Sequence, residues 1–272
     1  MQLRVTDYGR CRRASNVAPA CAARNVQLWE AGLLSFAPRH SRTETIQTLN
    51  GRSYQRGETT LGELLTLTAG FTYADTLLDD DLLGSDYDAV VVDGDLHLPS
   101  LHLGDALVFL VVTGNLSVDG ACVDCDDPAT ALYVLGNMQA GSVYTTGMLG
   151  VQGNLTVART LAGSYNDYSD IVKGTTRAAV FYPENHFFEF GGQPAFGHVL
   201  GEAASHRVPT QWASSMKETL LGRALMDRSL CAEGEEVQNF SADDIETYAA
   251  TALLDRDSLY ALVREDRPVL ND

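Results

Sequence analysis

The chain reads as a mainly β protein, a short parallel β-helix solenoid of about five coils with a C-terminal helical segment. Three observations predict this. A glycine-centred phrase recurs as "VVDGDLHL" (91–98), "VVTGNLSV" (111–118), "YVLGNMQA" (133–140), "GVQGNLTV" (150–157) and "IVKGTTRA" (171–178). Its glycines, Gly94, Gly114, Gly136, Gly153 and Gly174, are spaced by 20, 22, 17 and 21 residues, a solenoid period. Apolar and polar residues alternate with period two after each glycine, which makes the elements strands rather than helices.

Each copy is expected to form one corner of a coil. Glycine supplies the positive φ that a tight corner needs, and Asn or Asp tolerates the adjoining turn. Coils stacked about 4.8 Å apart superpose Asp95, Asn115, Asn137 and Asn154 into a hydrogen-bonded ladder. The same stacking places Leu96, Leu116, Met138 and Leu155 in an apolar column facing inward. A leucine-rich repeat has a similar period but needs leucines at several fixed offsets, whereas these copies are richer in Val and Gly. Calcium-binding nonapeptide repeats need a much shorter period and paired glycines.

In chain order, residues 1–57 read as a basic leader, 58–192 as the β-helix with an N-terminal cap, and 193–272 as a helical segment. The leader has arginines but no apolar core of a secretory signal. Within 59–85, short apolar runs alternate with turn residues, as a first coil or a cap requires. A solenoid needs its ends covered, and the helices downstream are expected to cover a coil end or form a small bundle. Helical spacing of Trp212, Met216, Leu220 and Leu225 predicts one helix over 210–230. Ser241 as N-cap, with Asp243 and Asp244 in the first turn, starts a second over 241–257. A third, short helix follows over 257–266 and stops before Pro268.

Net charge is −17, distributed unevenly. Residues 1–57 carry nine Arg against Asp7, Glu30 and Glu44. Between Arg56 and Arg159 there is no Lys or Arg, while fifteen carboxylates fall in that interval. Such a field repels nucleic acid and speeds encounter with basic partners. The longest wholly apolar run, Ala106–Val112, is too short to span a bilayer, so no membrane partner is expected. Five cysteines in 272 residues make no disulfide framework, which fits a cytoplasmic, reducing setting.

Motifs for chemistry are sparse. "CVDC" (Cys122, Cys125) has zinc-like spacing, but no second Cys or His pair lies suitably placed, so no metal and no cofactor are expected. Asp124, Asp126 and Asp127 cluster at a turn before Pro128, suited to a cation or, preferably, to a solvated loop or a partner contact. His97 and His102 are expected to point outward. His186, near Glu184 and Glu189, makes an acid–base pair on paper, although packing among phenylalanines suits it better. There is no nucleophile elbow, phosphate-binding loop or dinucleotide fingerprint, and no catalytic residue is assigned.

The run from "VVDGDLHL" through "HFFEFGG" (186–192) resembles a family of small bacterial β-helix proteins related to polymer-forming domains, encoded beside polymorphic toxins and cargo of type VI secretion systems. The "VVxGNLxV" copies, the acidic loop after the second copy and "HFFEFGG" carry the resemblance. It covers about residues 88–192 and implies an immunity protein without catalytic activity. Such a protein binds a cognate toxin, here expected to be a basic nuclease domain. The carboxylates expected to meet that toxin are Asp124, Asp126 and Asp127, then Asp105 and Asp119, with Asp79, Asp80 and Asp81 as a second patch. The alternatives are a self-assembling scaffold like the bactofilins and a polysaccharide-active β-helix enzyme.

Overall fold

The computed structural model describes residues 52–54, 61–71, 88–104, 107–126, 129–164, 167–184, 186–200 and 255–270. Asp79, Asp80, Asp81, Asp105 and Asp127 lie outside the described residues, as do most of the basic leader and the helices expected over 210–230 and 241–257.

The expected parallel solenoid is present. One sheet, A, contains β1 (Arg52–Tyr54), β2 (Asp88–Val92), β5 (Leu107–Val112), β7 (Ala131–Val134), β9 (Met148–Val151), β11 (Ser169–Val172) and β13 (Phe187–Phe190), in that spatial order. The second, B, is ordered β14 (Ala195–Val199), β12 (Thr176–Tyr182), β10 (Leu155–Gly163), β8 (Met138–Thr145), β6 (Leu116–Val123) and β3 (Leu96–Leu98), with β4 (Leu101–His102) also on β6. All neighbours pair in parallel except β1, which lies antiparallel on β2. Each coil therefore runs A strand, glycine corner, B strand. The long B strands shift register midway, between Val118 and Ala121 on β6 and between Val157 and Leu161 on β10.

The glycine corners stack as one column. Gly114, Gly136, Gly153, Gly174 and Gly192 each donate their N–H to the carbonyl of the glycine one coil earlier, at 2.9–3.0 Å. Gly192 adds a sixth corner that the repeat alignment did not contain, and β13 and β14 flank it. The chain just past residue 192 is thus a strand rather than the start of the helical segment. Only Gly94 among these corners has a positive φ, of 87°. The others are glycine because of close approach: a Cβ on Gly136 would sit 2.5 Å from the Gly114 carbonyl oxygen.

Beside this column runs the expected amide ladder. Asp95 Oδ1 accepts from the backbone and side-chain N–H of Asn115, Asn115 Oδ1 from those of Asn137, and Asn137 Oδ1 from the Asn154 N–H. Asn154 Oδ1 then accepts from the Thr175 N–H and hydroxyl.

Alternation sorts side chains into a lumen and two outer faces. The lumen is lined by Val90, Leu110, Leu132 and Leu149, by Val92, Val112, Val134, Val151 and Val172, and by the Leu116–Met138–Leu155 column. Outside sheet A, helix α1 (Leu61–Thr68) packs Leu64, and the turn after it packs Phe71, against Val91, Val111 and Tyr133. Outside sheet B, helix α2 (Arg256–Arg264) packs Leu259, Tyr260 and Val263 against Tyr144, Val180 and Tyr182. The short C-terminal helix forms as expected, but it covers a flank of the solenoid rather than an end. Its apolar stripe meets an outward apolar column that would otherwise face water. No described helix is long and apolar enough to cross a membrane.

Candidate functional site

Two features stand apart from the packing, an open polar face and a buried polar corner. The face is the outer side of the first half of sheet B. His97, Ser117, Gln139, Thr156 and Arg177 fall in register along it. All are exposed except half-buried Ser117. The amide ladder borders one side. On the other, Asp119 pairs with His97 at 2.8 Å, with both side chains 66% exposed. Charge varies along this face: Asp93, Asp95 and Asp119 lie exposed at its N-terminal end, and Arg177 lies towards the other.

The corner lies where B strands turn back into A strands. Cys122 and Val123 belong to the lumen and to the α2 face respectively, so the next residue, Asp124, turns inward. Its carboxylate is spent on the neighbouring coil. Thr146 and Gly147 donate N–H to Oδ1 at 2.6 and 2.8 Å, and the Thr145 hydroxyl lies 2.8 Å from Oδ2. Asp124 is therefore corrected from a surface contact to an internal tether: burial places its carboxylate where no partner reaches. Asp126, two residues on, is exposed, as is Asp119.

The same corner holds two residues that were not expected together. Asp170 occupies the inward A-strand position opposite Leu149 and Phe188. Its Oδ1 accepts from the Leu149 N–H at 3.1 Å and lies 3.1 Å from His186 Nε2 and 3.2 Å from Thr145 Oγ1. Both side chains of this His–Asp pair are fully buried. His186 thus packs among aromatic rings as expected, 5.1 Å from that of Phe188, but its carboxylate partner is Asp170 rather than Glu184 or Glu189. A Cβ on Gly163 would come 2.7 Å from the His186 Cβ, so glycine there makes room for the imidazole.

Burial pushes the Asp124 carboxyl up to about 7, and neighbouring Asp170 adds to the rise against the three hydrogen bonds. Burial also raises Asp170, opposed first by His186. Burial and both aspartates raise the Cys122 thiol, which keeps it protonated and inert. Neither Cys122 nor Cys125 is in a disulfide. Among the described residues no group of three or more His, Cys, Asp or Glu is arranged to hold a metal ion.

The signal for Asp170 was present in the repeat. Four residues before each corner glycine stand Val90, Leu110, Leu132, Leu149, Asp170 and Phe188, a lumen-facing series in which Asp170 is the one charged residue. Comparisons of the chain with protein-family models, with curated proteins and with solved structures give no match.

Proposed function

We propose that the chain is an immunity protein, acting in the cytoplasm, that neutralises a basic toxin domain through the open face of sheet B. The observation that carries this reading is the charge of the first coils. They expose Asp93, Asp95, Asp119 and Asp126, and the chain from Gly57 to Ala158 contains no Lys or Arg. A nuclease that holds phosphates presents the complementary field, and carboxylates on a rigid sheet can occupy the phosphate positions. The exposed strand side chains contribute polar, adaptable contacts without any ordering of loops. Binding alone suffices for this role, and no catalytic group is assigned.

The scaffold alternative requires coils of one copy to continue those of the next. Antiparallel β1 already occupies the edge of β2, and this disfavours parallel addition of a second solenoid there.

The test is co-expression. The chain is used as bait in an extract of its source organism, and each captured basic protein is expressed alone and with the chain. The expected result is a protein that is toxic alone and tolerated with the chain. Protection should weaken about tenfold or more in Asp119→Lys, with a stronger loss at low salt. Protection indifferent to that reversal would move the interface elsewhere, and recovery of large self-assemblies alone would favour the scaffold.

A further inference from the structure

The lumenal corner contains the only buried carboxylates among the described residues, and their hydrogen-bond arithmetic does not close with both ionised. Thr145 Oγ1 stands within reach of Asp124 Oδ2 and of Asp170 Oδ1, yet a hydroxyl carries one hydrogen. One of these contacts therefore needs its hydrogen from a carboxyl. Asp170 Oδ2 is buried and has no hydrogen-bond partner, which is costly for an ionised oxygen in a lumen lined by Val, Leu and Phe. Two anions joined through one hydroxyl repel each other, and His186 can offset only one of them. We infer that this corner is a proton-binding site, holding at neutral pH a proton shared between Asp170 and Asp124 by way of Thr145, with His186 alongside.

The groups that face it are few. Cys122 on β6 shares the lumen and stays a neutral thiol. Among the described side chains His186 is the one facing group able to become cationic. Tyr144 on β8, and His102 on β4 two strands earlier in the same outer column, point away from the lumen, and Arg264 of α2 lies over the Tyr144 ring at 4.4 Å, on the far side of the sheet. The inference is independent of the partner proposed above, because it concerns the free protein.

Its consequence follows from linkage. Both carboxyls are raised above the unfolded aspartate value of about 4, so the folded chain holds more protons than the unfolded chain between there and neutrality. The stability due to the corner is complete below the unfolded value and is lost as pH rises through the folded one. Per shared proton, the unfolding constant increases by up to about tenfold per pH unit in that window.

Urea unfolding is measured from about pH 5 to 8 at high salt, where repulsion among surface carboxylates is screened. The wild-type chain is compared with the double variant Asp124→Asn, Asp170→Asn, which keeps the shape of the corner and leaves it no carboxyl to titrate. The expected result is a steeper rise of the unfolding constant with pH in the wild type, by up to about tenfold per pH unit relative to the variant. Parallel profiles would overturn the inference. Should the variant fail to fold, carbon NMR of the wild-type aspartate carboxyls decides: one carboxyl titrating near neutrality supports the site. If all of them titrate near the ordinary value of about 4, there is no such site.

Discussion

At the scale of single residues, two glycines of the same corner column are glycine for different reasons, and substitution separates them. Gly94 has a φ of 87° and open space where a Cβ would go, so Gly94→Ala meets only left-handed backbone strain, about 1 kcal/mol. Gly136 has an ordinary backbone, but its Cβ would collide with the Gly114 carbonyl and with Asn115 Oδ1. Neither neighbour yields without disturbing the ladder, so Gly136→Ala is expected to cost about 2–3 kcal/mol, the scale of an overpacked core. Midpoints of chemical unfolding for the two variants check the order. The repeat made the glycines visible, and it suggested one cause, positive φ, that holds only at the first. Backbone-to-backbone contact between coils leaves no mark on a single copy of the phrase; it emerges only when copies are stacked. Asp124 shows the same limit. In the string "CVDCDDP" three aspartates look equivalent, and only the alternation of the folded strand turns the first inward.

At the scale of elements, α2 is a strap held by side chains of several kinds. Asp255 caps its first turn by accepting from the Ser258 N–H at 3.0 Å, and Arg256 reaches Glu184 at 2.5 Å. Beyond its C-terminus Asp266, in the left-handed region with φ 56°, bonds the Ser142 hydroxyl at 2.8 Å and Arg159 at 2.5 Å. The exposed part of such ion pairs contributes little, so the apolar stripe carries the docking. Leu259 is fully buried against the flank, and Leu259→Ala is expected to weaken docking by about 2–4 kcal/mol. Because a peripheral helix can open without the solenoid, the loss should appear as faster amide exchange in Arg256–Arg264 while β8 and β10 stay protected. Equal acceleration in the strands would mean that strap and coil unfold as one unit. The helix itself was legible over 257–266, with its stop before Pro268. Its place was not, because an outward apolar column, Tyr144 and Tyr182, reads in sequence like part of the core. The sixth coil was obscured similarly, since "FGGQPAF" replaces the Asn–Leu of earlier corners while keeping the glycine and the flanking strands.

At the scale of the whole molecule, acidity works against the fold. A chain of net charge −17 repels itself, and that repulsion is felt most where no cation intervenes, over the coils between Arg56 and Arg159. Stability should therefore rise with added salt, steeply at first and little once the Debye length falls to about 8–10 Å. Asp126 is exposed at a corner of this region, and reversing it removes one repulsive charge without touching the lumen. Asp126→Lys is expected to stabilise the free protein by a few tenths of a kcal/mol, within the range of about 0.5 kcal/mol typical of surface changes. If the carboxylates serve a basic partner, the same substitution weakens capture of that partner, so stability and binding move in opposite directions. Thermal unfolding of wild type and variant at low and high salt, beside the capture assay, measures both. A variant that gains stability and keeps its partner would mean that the acidic coils are a solvated surface and nothing more. One that gains stability and loses the partner would show a surface shaped for recognition at the expense of the fold.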